Sequence, residues 1–328
     1  MNNIKKIGMT ALAASLVSTS VFAGELTVSG SASMSYENYS TTETAAAASN
    51  NKSFSQGNEI NFTGGGELDN GLTVALAFQL DEGSASGNGT SPLFDNHSVT
   101  ISSDALGSFS LSGHGGSSAA SALDTTAAGD IFDNFDDTAG IAATETFNAS
   151  KAGNNIMKYT LPSMVDGLSA AVSYQAGGNA NAGSAASTAY GVTYTGVEGL
   201  TVSYGVGDDN SVGANEREVT TMAAAYAYGP VTLSITESEN DATTADTDQK
   251  LKSMALSYTI SDSLSVTYGE ETFENQADAV DAEYTSFKAA YTSGGMTVSV
   301  GHQTAEAGAG ASTDKDVDYN YLTLGFAF

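Results

Sequence analysis

The chain has 328 residues with 38 acidic against 10 basic side chains, a formal net charge of −28, and 36 Gly against 3 Pro, with no Cys and no Trp. The absence of Cys excludes a disulfide framework and thiolate metal sites, and nucleic acid is not an expected partner of so acidic a chain. A hydrophobic content of 41%, much of it Ala, is low for a large dry core, while scarce Pro lets many strands run without missing ladder donors.

Residues 1–23 read as a secretory signal peptide. Lys5 and Lys6 form a positive start, Ile7 to Ser20 is a short apolar and small-residue run, and Val21-Phe22-Ala23 is a small-residue cleavage site. Its removal costs two Lys and no acid, so the mature chain, residues 24–328, is more acidic still. No later segment holds enough consecutive apolar residues for a spanning helix, so membrane residence would require a closed barrel.

From Glu25 onward apolar residues alternate with small polar ones, and turns interrupt the pattern. Leu26, Val28, Ala32, Met34 and Tyr36 make the first such run, and Leu72, Val74, Leu76, Phe78 and Leu80 a later one. Leu168 to Tyr174, Leu200 to Val206, Val231 to Ile235, Leu264 to Tyr268 and Met296 to Val300 repeat it. Period-2 alternation marks strands with two unlike faces. Short turns such as Asp69-Asn70-Gly71 and Ser293-Gly294-Gly295 take turns with long acidic loops such as 81–95 and 304–316, the plan of an outer-membrane barrel. Counting runs predicts an all-β, antiparallel up-and-down transmembrane barrel of about 16 strands, wide enough for an open channel. Strand starts are expected near residues 26, 53, 72, 96, 108, 155, 168, 188, 200, 217, 231, 250, 264, 282, 296 and 318.

One connection departs from this plan. From Gly115 to Asn154 about 40 residues lack a strand pair, which in a compact fold points to a functional element. This third long loop holds Asp124, Asp130, Asp133, Asp136, Asp137 and Glu145 together with Phe132 and Phe135. Apolar rings gain nothing in solvent, so the loop is expected to fold inward. The chain ends on the strictly alternating Tyr321-Leu322-Thr323-Leu324-Gly325-Phe326-Ala327-Phe328, a strand that must meet the first one to abolish the sheet edges.

The chain resembles the general bacterial porins, in particular the alphaproteobacterial type. The resemblance is carried by the strand Glu25–Gly30 directly after the signal peptide, the hairpin from Ser98 to Gly113, the segment Asn154 to Leu168 and the terminal Phe328. It implies a homotrimer of 16-stranded barrels in the bacterial outer membrane, reached by export through the periplasm, with the third loop narrowing each lumen. It also implies basic residues on the wall opposite the acids of that loop. Here the strand before the loop ends on Gly113-His114-Gly115, where the family often has Arg, and the basic or polar wall candidates reduce to His114, Lys158, Arg217 and Lys288.

The expected function is passive diffusion of small hydrophilic solutes and ions with a preference for cations, since acids in a low-dielectric throat concentrate cations. The loop acids Asp124, Asp130, Asp133, Asp136, Asp137 and Glu145 are the expected constriction; a solvated outer loop is the plain alternative. Lys158 and Lys288 alternate with large apolar neighbours, so both should face the lumen, whereas Lys250 and Lys252 share parity with Met254 and Leu256 and should meet the headgroup layer. Asp133, Asn134, Asp136 and Asp137 offer hard oxygens of the kind Ca²⁺ takes, without the spacing of a helix-loop-helix site, so a loosely bound ion is the most they imply. His97, His114 and His302 form no catalytic or zinc pattern, and no enzymatic activity or cofactor is expected. A substrate-specific barrel transporter, a non-conducting structural or adhesive barrel and a soluble exported β-protein are the alternatives.

Overall fold

In the computed structural model the described residues are 26–41, 51–81, 96–135, 146–150, 152–177, 185–210, 216–244, 247–306 and 316–328. The proposed signal peptide, and Asp136, Asp137 and Glu145 of the long loop, lie outside them. The alternating runs form sixteen strands: β1 (Thr27–Thr41), β2 (Asn51–Glu67), β3 (Thr73–Asp81), β4 (Asn96–Ser103), β5 (Gly107–His114), β6 (Ile156–Thr160), β7 (Leu168–Gln175), β8 (Ser187–Val197), β9 (Leu200–Asn210), β10 (Glu216–Tyr228), β11 (Val231–Ala242), β12 (Gln249–Ser261), β13 (Leu264–Asn275), β14 (Ala282–Ser293), β15 (Met296–Glu306) and β16 (Val317–Ala327). Every start lies within two residues of its predicted position.

Each strand pairs antiparallel with its sequence neighbours, and β1 pairs with β16, which closes the barrel. Closure reaches the last residue. Gly30 N donates to Phe328 O at 2.8 Å and Phe328 N to Gly30 O at 3.0 Å. The phenyl ring occupies the space that a side chain at position 30 would fill. The short turns sit at one end, and Gly71 shows their chemistry: its φ of 78° is left-handed, open to Gly at little steric cost.

The two faces separate as alternation requires. Along β12, Met254, Leu256, Tyr258 and Ile260 are exposed, while Leu251, Ser253 and Ala255, of the opposite parity, are buried. The exposed set continues around the barrel through Leu76, Val99, Leu111, Met157, Val202, Ile235, Phe287 and Leu322, a continuous apolar outer surface suited to lipid. Tyr36, Tyr174, Tyr204, Tyr258 and Tyr268 belong to it. The opposite face is inward, and it carries what core the molecule has.

That core is built by the loop between β5 and β6. A bridge between Gly116 and Gly153, with N···O distances of 2.8 and 2.7 Å, pinches its base. The outgoing leg then follows the inner wall. Ala119 N donates to Ser173 Oγ on β7 at 2.9 Å, Thr221 on β10 donates to Asp124 Oδ1 at 2.8 Å, and Ala128 N donates to Ser253 Oγ on β12 at 2.9 Å. The tip reaches β1, where the Tyr39 hydroxyl donates to Asn134 O at 2.9 Å. The returning leg is held by Gln249, which accepts from Asn148 N at 2.9 Å and donates to Thr146 O at 3.1 Å.

Two interactions dominate this docking. Ile131, Phe132 and Phe135 of the loop are buried against Leu251, Phe273, Ala282, Tyr284, Ala305, Val317 and Tyr319 of the inner wall. Three large apolar side chains leaving water supply roughly 1.5–3 kcal/mol each. Beside them lies Glu271 of β13, only 2% exposed. Its carboxylate accepts from Thr126 Oγ1, from Phe132 N at 3.1 Å and from Ser253 Oγ at 3.4 Å. A buried carboxylate is tolerable only when so satisfied, and removing it would leave the loop's donors buried without a partner.

Asp124 is the weak point. Its Oδ2 is buried without a hydrogen-bond partner, and burial, partly opposed by the Thr221 hydrogen bond, raises its pKa. The docked loop therefore holds this proton more readily than a free loop would. The cost to docking applies above that raised pKa and disappears as pH falls through it.

Three outcomes follow. Glu271→Ala should loosen the loop, raising single-channel conductance and open-channel current noise in planar bilayers, with a smaller effect in Glu271→Gln, which retains one acceptor oxygen. Asp124→Asn should lower or leave unchanged that noise at neutral pH, since it removes a charge that opposes docking. Deleting Phe328 removes two closing backbone hydrogen bonds and should reduce the heat-modifiable, folded form on electrophoresis.

Candidate functional site

The loop lies against the inner wall from β7 to β16 and touches β1 at its tip, so the open lumen is bounded by the loop on one side and by β1–β6 on the other. The inward side chains of that second wall follow from parity. On β1 they are Ser31, Ser33, Ser35, Glu37 and Tyr39, and on β2 they are Ser53, Ser55, Gly57, Glu59, Asn61 and Thr63. Directly across from Glu59 and Asn61, β3 presents Asp81 and Gln79, and β4 continues with Asn96 and Ser98. This wall is polar and acidic.

The carboxylates are tethered by neutral donors. Glu37 accepts from Ser55 Oγ at 2.8 Å and Ser53 Oγ at 3.2 Å. Glu59 accepts from Gln79 and, at 3.3 Å, from Asn61. Asn96 then donates to Gln79 Oε1 at 2.6 Å. The network fixes side-chain positions without neutralising charge.

The predicted basic residues are distributed unevenly. Lys158 faces inward on β6, on the same face as buried Ile156 and beside Ser110 and Ser173. Lys288 faces inward on β14 next to Thr267, one inward step toward the short-turn end from the Gly269–Ser286 pair on which Ala128 of the loop rests. Arg217 is inward at the loop end of β10, where its guanidinium donates to Asn240 Oδ1 at 3.2 Å. His114 departs from the expectation of a wall residue. A β-bulge opposite His97 lets Gly113 and His114 face one residue, and His114 stacks toward His97 with ring centroids 6.5 Å apart. His97 alternates with exposed Val99 and Ile101, so the pair belongs to the outward face. The extra bulge residue reverses the parity that counting alone assigns. His302 is outward too, its Nδ1 2.9 Å from Asn320 Oδ1.

The loop acids also differ among themselves. Asp124 is half-buried against Thr221. Asp130 has a left-handed φ of 53° and turns its carboxylate back onto Thr126 N at 2.9 Å. Asp133 is exposed beside Asn134. Among the described residues no group of three or more His, Asp or Glu converges to hold a metal ion; two of the four proposed Ca²⁺ ligands, Asp136 and Asp137, lie outside them. Lys250 and Lys252 are outward at the loop end, as parity requires. Lys250 sits 2.9 Å from Glu237 and closer still to Glu239, and Lys252 pairs with Glu274.

Sequence reasoning did not single out Glu37, Glu59 or Glu271. The adjacent acids Glu270 and Glu271 carried a usable signal, because two successive strand residues must face opposite ways and one therefore enters the lumen. Glu59 was harder to find, since β2 has only Ile60 and Phe62 to mark its outward face near that point.

Solved structures share this architecture. OmpF of Salmonella typhi in complex with daunomycin superposes with a TM-score of 0.68 at 14% identity, covering 93% of this chain and 98% of that one. A porin refined at 1.8 Å resolution matches with a TM-score of 0.64 at 18% identity, covering 93% and 100%. A triple mutant of the Rhodopseudomonas blastica porin gives 0.62 at 16% identity over the same shares. A search of curated protein sequences finds no match. A model of the family described as Gram-negative porin matches residues 8–292, most of the chain. Closed sixteen-strand barrel, inward loop and family match agree: the chain belongs to the Gram-negative porin family, diffusion channels of the bacterial outer membrane.

Proposed function

We propose that this channel passes small hydrophilic solutes down their gradients with a preference for cations. The observation that carries this reading is the wall opposite the inserted loop, which bears Glu37, Glu59 and Asp81 where the family resemblance leads one to expect basic residues. With Asp133 exposed on the loop, acids stand on both sides of the lumen. The opposing basic groups are Lys158, Lys288 and an Arg217 engaged by Asn240. A confined, low-dielectric passage lined by one sign of charge accumulates counter-ions and repels co-ions. In this reading residues 1–23 direct export and are removed, residues 24–328 form the barrel, and three copies assemble in the outer membrane, as the resemblance implies.

The test is the zero-current potential of purified protein in planar bilayers under a KCl gradient. The expected sign is that of potassium permeating faster than chloride, and Glu59→Gln should lower the permeability ratio. Chloride preference in the unmodified protein would overturn the selectivity reading.

A further inference from the structure

The open wall carries a recess that its hydrogen-bond network borders but does not fill. Across β2, β3 and β4 the inward side chains Asn61, Gln79 and Asn96 stand in one row. One inward step toward the short-turn end, the next row is Thr63, Ala77 and Ser98, continued by Ser112 on β5. Amides reach further into the lumen than these smaller side chains, so the second row lies as a floor beside the first, and a cavity of about 180 Å³ opens over it. In each of the three strands the cavity meets two successive inward residues and the outward residue between them, Phe62, Phe78 or His97, which places it on the lumen face. Thr63 and Ala77 are exposed there. The base of the inserted loop closes the side at β5: Gly116, bridged to Gly153, stands over Ser112, where a Cβ would come within 2.6 Å of the Ser112 Cβ. Glu59 holds the amides from the other side, accepting from Asn61 and Gln79, and Gln79 Oε1 accepts from Asn96. These bonds use one N–H of each amide. The second N–H of each stays available, as do the carbonyl oxygens of Asn61 and Asn96.

We propose that this recess binds small, neutral polyhydroxylated solutes of the size of a single sugar ring. This rests on the passage of hydrophilic solutes proposed above and is independent of the sign of the ion preference. A sugar hydroxyl both donates and accepts, and the amide row offers donors and acceptors side by side, with the hydroxyls of Thr63, Ser98 and Ser112 beneath. Neighbouring strands stand about 4.8 Å apart, close to the distance between alternate hydroxyls on a pyranose ring, so one ring can engage amides on two strands. Because Glu59 and Gln79 already order the row, little side-chain freedom is lost when a solute settles. An apolar solute would displace water from these donors without replacing its hydrogen bonds.

The experiment measures the KCl current through the full-length channel in planar bilayers as D-glucose is added to both sides, corrected for the bulk conductivity of the same solutions. A saturable fall in current is expected with D-glucose. Tetraethylene glycol, whose interior oxygens only accept, should give no saturable component. Ala77→Leu fills the floor of the recess and should abolish the saturable fall. Ala75→Leu, one inward step farther along β3 and outside the recess, adds the same bulk to the lumen and should preserve it. Asn96→Ala should raise the half-saturating concentration about fivefold, the scale of one hydrogen bond. Heat-modifiable migration identifies variants that have folded, and either Ala77→Leu or Asn96→Ala decides by itself. A conducting channel without a saturable response to D-glucose, or with an equal response to tetraethylene glycol, overturns the proposal and leaves the diffusion reading standing. So does an unchanged half-saturating concentration in either folded variant, or equal loss in Ala75→Leu and Ala77→Leu. Chloride preference overturns the selectivity reading alone, and a barrel that passes no ions overturns both.

Discussion

The attachment of the third loop to the inner wall is the constraint on which the rest depends. A sixteen-strand barrel is too wide to fill itself with side chains, so its lumen is defined by whatever is docked inside. Here the docking uses two unlike interactions in one place. The rings of Phe132 and Phe135 leave water against Phe273, Tyr284 and Tyr319, and the carboxylate of Glu271 collects the loop's donors beside them. The apolar contact supplies most of the free energy and is nearly indifferent to register. The buried carboxylate supplies the register, because only one placement of Thr126 and Phe132 satisfies it.

Docking also decides which half of the wall faces solutes. The loop covers the inward face of β7 to β16 and leaves most of that of β1 to β6 open. The charges that matter for permeation are therefore those of the open wall and of the loop itself, and on both the described ionisable groups are predominantly acids.

The outer surface obeys a different rule. Around the middle of the barrel the exposed residues are Leu, Val, Ile, Met and Tyr. Charge returns to that face toward the loop end, where Lys250 and Lys252 meet Glu237, Glu239 and Glu274. Pairing of this kind belongs where water is available, since an isolated charge facing hydrocarbon is costly. The His97 and His114 pair is set outward by one bulge, a local irregularity with a large consequence for which medium the rings meet.

Strand number, strand positions and the inward destination of the long loop were legible in the sequence, because each depends on local pattern. Alternation has a period of two whatever the partner strand, turns are marked by residues such as Asn70-Gly71, and buried phenylalanines in a polar loop must find an apolar surface. The acceptor role of Glu271, the alignment of Asn61, Gln79 and Asn96 in one row, the retreat of Asp124 and Asp130 from the open lumen and the reversal at His114 were decided only by the tertiary structure. Each depends on cross-strand register or on contact between segments up to about 150 residues apart in sequence. A one-dimensional pattern assigns a side chain to a face, but not to the neighbour it meets there.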